Sequence, residues 1–221
     1  MELYSYYQSS AAYRVRIGLN LKRIRYEIHA IDLSKDGGEN RKLTYLVINP
    51  QGKVPALTLG DGRVLLQSLA ILEYLDERVP LPPLLPLDIT ERARVRAVAN
   101  MIACDIHPLN NSAVRSYLRH EMKVDKEAIR KWSLHWLTEG FRAIESIIDG
   151  VNFCFGDQPT LADICLVPQV FNARRVDMDL SPFPKIVAVD RRASMLPAFA
   201  AAHPLAQPDA PAELVAKRPA V

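Results

Sequence analysis

The chain has 221 residues, a formal net charge of +3 at pH 7 and 49% hydrophobic residues. This length fits one large domain or two small ones. Because the charge excess is small and the basic residues are scattered, we expect no nucleic-acid partner. No stretch approaches ~18 uncharged apolar residues and no signal peptide is apparent, so we expect a cytoplasmic protein with no membrane partner.

Cysteine and histidine usage gives further expectations. The three cysteines, Cys104, Cys154 and Cys165, are odd in number and form no CxxC pair. This spacing argues against a disulfide framework, and we expect buried free thiols in a reducing compartment. The histidines show no ligand spacing with cysteines or carboxylates, so we predict no metal site.

Residues 1–79 carry short apolar runs separated by glycine and proline, which is typical of strands. The predicted strands cover Leu3–Tyr7, Tyr26–Leu33, Ala56–Leu59 and Val64–Leu66. Gly60-Asp61-Gly62 predicts a hairpin turn between the last two of them.

The segment after the first predicted strand allows two interpretations. Residues 15–21, Val-Arg-Ile-Gly-Leu-Asn-Leu, alternate between apolar and polar, and this period alone is typical of a strand. The segment also follows the pair Ser9-Ser10, which suits the N-cap of a helix in a βα unit. The residues by themselves leave both interpretations open.

A proline-rich segment divides the chain. Four of the seven residues from Pro80 to Pro86 are proline, which excludes a helix or a central strand. We therefore predict a first domain at residues 1–80, a stiff linker at 81–86 and a helical domain at 87–221.

Helical periodicity dominates the second part of the chain. Apolar residues recur every three or four positions from Thr90 to Leu109 and from about Lys126 to Asp149. Thr160-Leu161-Ala162-Asp163 has the form of a capping box at the start of a third helix. A further helix is predicted over about Pro184–Met195, and the Pro- and Ala-rich tail from Gln207 is expected to fray.

Three positions in the first domain are candidates for ligand binding. If residues 11–22 are helical, Ser9 and Ser10 lie at a helix N-terminus, where a thiolate is stabilised. A cis bond at Val54-Pro55, directly before a strand, would turn the Val54 N–H and C=O toward a cleft. Ser68, after Gln67, suits the N-cap of the next helix, whose terminus would bind a carboxylate. Ordinary capping and turn roles are the alternative at each position.

The helical domain contains two further candidates. His107, Asn111 and Arg115 are spaced by four and would share one face of a helix bent at Pro108. This polar row suits either a cleft wall or a solvated face. Arg174-Arg175 suits either an anion clamp or a surface pair.

These segments occur in an order that resembles the zeta class of glutathione transferases. Residues 9–17, Ser-Ser-Ala-Ala-Tyr-Arg-Val-Arg-Ile, are similar to the signature Ser-Ser-Cys-x-x-Arg-Val-Arg-Ile. The blocks Gln67-Ser68-Leu69-Ala70-Ile71 and Leu166-Val167-Pro168-Gln169-Val170 are close to diagnostic. The similarity runs from about Leu3 to Asp209 and includes Lys35-Asp36-Gly37-Gly38, Asn49-Pro50, Val54-Pro55, Leu84-Leu85-Pro86, Gly156-Asp157, Ala162-Asp163, Asp179-Leu180-Ser181-Pro182-Phe183-Pro184 and Gln207-Pro208-Asp209.

The resemblance implies an α/β plus all-α fold, with a thioredoxin-like N-terminal domain followed by an all-helical domain, and a homodimer. It implies a helix at residues 10–22 and glutathione as the cofactor. Ser9 or Ser10 would donate to the glutathione sulfur. The implied contacts to the rest of glutathione come from Val54 with a cis Pro55, from Gln67 and Ser68, and from His107 and Asn111.

The implied reaction is the cis–trans isomerisation of a maleyl diacid by reversible thiolate addition, with glutathione regenerated. Arg175 matches a family position expected to hold the carboxylate of this small-molecule substrate. Two residues depart from the family: Ala11 replaces its Cys, and Gln8 replaces the usual Arg beside the substrate. Ala11 disfavours dehalogenation routes that need a protein thiol. Because Gln8 removes one carboxylate anchor, conjugation of glutathione to haloacids or other small electrophiles stays open as an alternative, as does a non-catalytic binding module.

Overall fold

The computed structural model of the chain describes residues 1–216. These residues form two compact units: Met1–Pro83 together with the segment that starts at Met195, and Leu84–Ser194. Among the residues described, no helix is both long enough and apolar enough to cross a membrane.

The first unit is built on a four-stranded sheet with the order β2-β1-β3-β4. β1 (Glu2–Ser5) pairs in parallel with β2 (Glu27–Ala30) and antiparallel with β3 (Ala56–Thr58), which pairs antiparallel with β4 (Val64–Leu66). All four predicted strands are present, and three are shorter than the apolar runs that predicted them. The other elements of residues 1–83 are α1 (Ser10–Leu21), two 3₁₀ turns (Lys35–Gly37 and Glu39–Arg41), α2 (Leu43–Leu46) and α3 (Ser68–Arg78).

The core of this unit lies between the sheet and the helices α1 and α3. Its fully buried members are Leu3, Val15, Leu19, Leu57, Ile71 and Leu75. Gly18 of α1 faces Leu72 of α3, and a Cβ at Gly18 would overlap that leucine side chain. Glycine therefore allows the two helices to approach closely.

Residues 10–21 are helical, as the resemblance implies and against the alternating pattern. The alternating pattern is misleading because the non-apolar residues in it do not form a solvated face. Arg16 is fully buried, and Gly18 is buried against α3. In α1, every residue from Ala12 to Leu19 is buried, so no simple period remains.

The C-terminal segment packs with the first unit, although its position in the sequence suggests the helical domain. It consists of α10 (Pro197–Ala202), a 3₁₀ turn (Pro204–Ala206) and α11 (Ala212–Val215). Asn20 of α1 donates to the Ala198 carbonyl at 3.0 Å. Fraying from Gln207 was the wrong expectation, because Gln207 is buried and its amide donates to two carbonyls at the end of α10. Residues 217–221 of the predicted tail lie outside the described residues.

The second unit is entirely helical within Leu84–Ser194. Its helices are α4 (Ile89–Asn100), α5 (His107–Asn110), α6 (Ser112–His120), α7 (Lys126–Ile147), α8 (Leu161–Arg174) and α9 (Pro184–Ser194). The predicted capping box at α8 is confirmed: Asp163 accepts from the Thr160 N–H and hydroxyl at 2.7 and 2.9 Å. Its other oxygen accepts from the Cys154 N–H at 2.7 Å. These contacts fix the start of a helix that is buried along almost its whole length.

The helix predicted from Thr90 to Leu109 is interrupted. After α4 the chain forms a π-helical turn, Met101–Ile106, in which the His107 N–H bonds to the Ile102 carbonyl. Pro108 follows as an early residue of α5, where its missing N–H removes one bond of the ladder. Only a bend at Pro108 was expected. The structure instead shows a change of helix type before this proline and an early helix end at Asn110.

Candidate active site

Three predicted positions lie at one edge of the sheet. The register places Tyr4 of β1 opposite Ala56 of β3, and Ala56 opposite Leu66 of β4. The end of β1, the start of β3 and the end of β4 therefore meet at this edge. The segments that adjoin these strand ends are Ser9-Ser10, Val54-Pro55 and Gln67-Ser68.

Ser9 caps α1, and Ser10 is the first residue of this helix. The Ser9 Oγ accepts from the Ala12 N–H at 3.2 Å, and the Ser9 N–H donates to the Tyr6 carbonyl at 2.9 Å. Because its oxygen is the acceptor in the cap, the hydroxyl proton of Ser9 remains available to donate. Ser9 is half-buried, whereas Ser10 is only 6% exposed. Gln8, which precedes them, is half-buried.

The Val54-Pro55 peptide bond is cis, as predicted. The turn before it is held at the Lys53 carbonyl, which accepts from the Tyr45 hydroxyl at 2.7 Å and the Asn49 amide at 2.6 Å. Within residues 1–216, the N–H and C=O of Val54 itself enter no hydrogen bond. Both groups are therefore available to pair with an extended peptide.

The prediction that Ser68 is the N-cap of α3 was wrong. Gln67 holds that position with φ +69°, and Ser68 is the first helical residue. Ser68 is 6% exposed, and its Oγ accepts from Nη1 of the buried Arg14 at 3.2 Å. The Gln67 side chain instead donates to Gln51 at 2.8 Å, so within the described chain α3 has no side-chain cap. An uncapped helix N-terminus with a positively charged neighbour favours an anion.

The polar row predicted in the second unit does not form. His107 begins α5, whereas Asn111 has extended dihedral angles (φ −70°, ψ 162°) and caps α6 by accepting from the Val114 N–H at 2.9 Å. His107, Asn111 and Arg115 therefore do not share one helix face. Arg175 is the exposed C-cap of α8, and its neighbour Arg174 pairs with Asp190 at 2.6 Å.

The cysteines differ in environment. Cys154 and Cys165 are buried as expected, but Cys104 is exposed in the π-helical turn. Burial raises the pKa of the Cys154 thiol well above its usual range, so it is a poor nucleophile. Among the residues described, no group of three or more His, Cys, Asp or Glu side chains is placed to hold a metal ion.

Sequence reasoning assigned no role to the arginines of α1. Arg14 and Arg16 are 1% and 0% exposed, and both contact the segments that form the sheet edge. Two arginines in a helix that is otherwise apolar over residues 12–19 are unusual, because arginine is rarely fully buried. This composition is the one signal that pointed to them.

The fold and the sheet edge together define a class of protein. A thioredoxin-like α/β unit, with groups at one edge that suit a peptide and an anion, is joined in one chain to an all-helical unit. Residues 8–78 match the family model for the glutathione S-transferase N-terminal domain, and residues 137–212 match the model for the C-terminal domain. The chain belongs to the glutathione S-transferase family.

Individual relatives show which members of the family the chain is similar to. The chain is 49% identical over 212 residues to maleylacetoacetate isomerase of Pseudomonas aeruginosa, covering 96% of this chain and 100% of the relative. It matches the holo structure of a bacterial maleylpyruvate isomerase of the zeta class with a TM-score of 0.92 and 46% identity, covering 96% and 100% of the two chains. Maleylacetoacetate isomerase of Methylobacterium extorquens AM1, solved with malonate and glutathione, matches with a TM-score of 0.91 and 40% identity over 96% and 100%. The resemblance to the zeta class is confirmed.

Proposed function

We propose that this protein is a glutathione-dependent cis–trans isomerase of a maleyl diacid, maleylacetoacetate or maleylpyruvate. The observation that carries the proposal is 49% identity to a maleylacetoacetate isomerase over the full length of that relative. A further solved relative holds glutathione together with malonate, itself a small diacid.

The sheet edge of the first unit has groups that fit glutathione. The N–H and C=O of Val54, beside the cis Pro55, suit the main chain of its cysteinyl unit. The uncapped start of α3, with Gln67 and Ser68, suits its γ-glutamyl carboxylate. The Ser68 hydroxyl oxygen accepts from Arg14, so the hydroxyl proton can be donated to a second acceptor. A carboxylate, which only accepts hydrogen bonds, suits this donor.

When bound at this edge, glutathione supplies a thiolate that adds reversibly to the activated alkene, and the former double bond can then rotate. The chain's part is to favour and hold this thiolate. Ser9 or Ser10 donates a hydrogen bond to the sulfur, and the positive end of α1 lowers the free energy of the anion. A charge-assisted hydrogen bond of this kind is worth about 1.5–3 kcal/mol.

The substrate's carboxylates require cationic or polar donors. We assign Arg175 to this role, with Gln8 in the position where relatives of this class usually carry arginine. His107 and Asn111 are assigned to glutathione from the helical unit. Since Gln8 is neutral, Arg175 carries more of the charge complementarity than it would beside a second arginine.

The proposal extends to assembly and setting. We propose a homodimer, a cytoplasmic location and a role in the breakdown of aromatic compounds, from which maleyl diacids arise. The three free cysteines suit a reducing compartment. Gel filtration with light scattering tests the dimer.

The decisive test is turnover of maleylpyruvate or maleylacetoacetate with glutathione quantified before and after the reaction. We expect trans product with no loss of glutathione. Arg175→Ala should lower kcat/KM on the diacid by about thirty- to a thousandfold, from about 2–4 kcal/mol of lost transition-state binding. Its effect on a neutral electrophile should be small.

Arg191→Ala is the matched control, since Arg191 is an exposed arginine of the same unit; it should behave as the wild type. Gln8→Arg should leave the diacid reaction unharmed or improve it. Stoichiometric consumption of glutathione, together with equal damage by Arg175→Ala on both substrate types, would replace the isomerase proposal by the conjugating alternative.

A further inference from the structure

A buried arginine holds the loop between β1 and α1. Arg16 is 0% exposed. Its Nε donates to the Ala202 carbonyl at 3.0 Å, and its Nη1 donates to the Ser5 hydroxyl at 2.9 Å. Its two Nη atoms also donate to the carbonyls of Tyr6 and Tyr7, at 3.4 and 3.1 Å. The guanidinium thus joins the end of β1, the loop after it and the end of α10.

One of these acceptors connects Arg16 directly to Ser9. The Tyr6 carbonyl that accepts from Arg16 also accepts from the Ser9 N–H at 2.9 Å. A single peptide group therefore separates the guanidinium from the residue that caps α1. A charge at this distance acts on an anion at the helix N-terminus through a medium of low polarity.

The positive charge of Arg16 is not cancelled within these four hydrogen bonds, because every acceptor in them is neutral. The charged and titratable groups that face it are Tyr13 on α1, Tyr26 before β2 and Asp209 in the C-terminal segment. Burial lowers the pKa of Arg16 to about 10, which leaves the guanidinium protonated at neutral pH. The carboxylate among these groups is that of Asp209, whose Oδ2 accepts from the Tyr7 N–H at 2.8 Å.

We propose that Arg16 is a positioning residue whose buried charge, opposed by Asp209, favours the thiolate form of a sulfhydryl held at Ser9. The inference rests on the proposed function for the identity of that sulfhydryl, which is glutathione. The local field itself belongs to the chain and exists with or without the cofactor.

Charge and geometry predict different results for different substitutions. As an order of magnitude, a unit charge about 7 Å from a thiol, at an effective dielectric constant of about 20, shifts the thiol pKa by roughly one to two units. Arg16→Lys keeps the charge but loses the planar fork that binds several carbonyls. Asp209→Asn keeps an acceptor for the Tyr7 N–H but removes the opposing charge.

The test uses a thiol built into the chain, so that it does not depend on glutathione. Ser9→Cys is introduced together with Cys104→Ser, which removes the exposed native thiol. The pKa of the introduced thiol is taken from the pH dependence of its alkylation by iodoacetamide. Arg16→Met, Arg16→Lys and Asp209→Asn are then compared in this background, each after its fold has been checked by circular dichroism.

We expect Arg16→Met to raise the thiol pKa by about one unit or more, Arg16→Lys to change it by less than about half of that, and Asp209→Asn to lower it. A rise with Asp209→Asn, or an equal rise with both Arg16 variants, overturns the proposal and leaves Arg16 a purely structural role. If Arg16→Met does not fold, the sign of the Asp209→Asn shift and the size of the Arg16→Lys shift decide.

A second arm separates this inference from the proposed function. The same three substitutions are made in the chain with Ser9 intact, and the pKa of bound glutathione is followed by thiolate absorbance. The shifts should have the same order as those of the introduced thiol. If the wild type binds no glutathione, the proposed function fails, while the introduced thiol still decides the role of Arg16.

Discussion

Ser9 and Ser10 differ in burial and in their places at the start of α1. Ser9 is half-buried and uses its oxygen to accept from the Ala12 N–H at 3.2 Å, which leaves its proton for an outside acceptor. Ser10 is 6% exposed and lies within the first turn of α1. We therefore predict that Ser9→Ala raises the pKa of bound glutathione and that Ser10→Ala does so much less.

The expected magnitude has two parts. Loss of a hydrogen bond to a charged sulfur is worth about 1.5–3 kcal/mol, which corresponds to about one to two pKa units. Loss of the cap lowers the free energy of unfolding by about 0.5–2 kcal/mol. For a protein of this size that is a melting temperature lower by roughly 1–8 °C.

Thiolate absorbance as a function of pH measures the first part, and thermal unfolding measures the second. Ser9→Asp is the matched control, because aspartate also caps a helix but places a negative charge beside the sulfur. It should keep the melting temperature near that of the wild type and raise the thiol pKa further than Ser9→Ala does. A raised thiol pKa in Ser10→Ala with an unchanged one in Ser9→Ala would refute the assignment.

Two further predictions concern stability. The Lys22 side chain is 0% exposed and donates to Asp76 and the Val79 carbonyl at 2.6 Å and to the Pro82 carbonyl. Lys22→Met should therefore lower the free energy of unfolding, measured by urea denaturation, by about 3–5 kcal/mol. A decrease below about 1 kcal/mol would contradict this prediction. Burial raises the pKa of Asp190 above its ordinary value of 3.8, with Arg174 opposing the shift. The native state therefore holds this proton more tightly than the unfolded chain, so stability from Asp190 is complete below pH 3.8 and is lost as the pH rises through the folded pKa. Urea unfolding across this window should show that loss in the wild type and not in Asp190→Asn.

Local patterns were sufficient wherever neighbouring residues determine the structure. The strands follow apolar runs bounded by glycine and proline, and the start of α8 follows from the spacing of Thr160 and Asp163. At Val54-Pro55 the residues alone left cis and trans open, and the family resemblance implied the cis bond that the structure shows. For the strands and the start of α8, the deciding contacts lie within a few residues along the chain, where propensity and capping rules apply.

The polar row predicted in the second unit was wrong even though its residues, His107, Asn111 and Arg115, have the spacing of a helix face. The spacing of His107 and Asn111 satisfies a helix face only if the helix continues through both residues. Asn111 is instead a capping residue, and the sequence Asn110-Asn111-Ser112 after Pro108 carried that signal. A start signal for a new helix should therefore outweigh an i,i+4 spacing that crosses it.

Hydropathy does not predict the burial of the two arginines of α1, and the reason bears on function. Arg16 is satisfied by carbonyls at the end of β1 and by Ala202, which lies 186 residues away in the sequence. Arg14 donates to Ser68, 54 residues away. Ala202 and Ser68 lie outside any local window of sequence, so hydropathy assigns both arginine side chains to the surface. Burying the Arg16 cation among neutral hydrogen-bond acceptors is unfavourable. Arg16 and Arg14 contact the segments that lead into α1 and α3. An anion bound at those helix starts would offset part of that penalty, which physically couples the stability of the sheet edge to occupation by an anionic ligand.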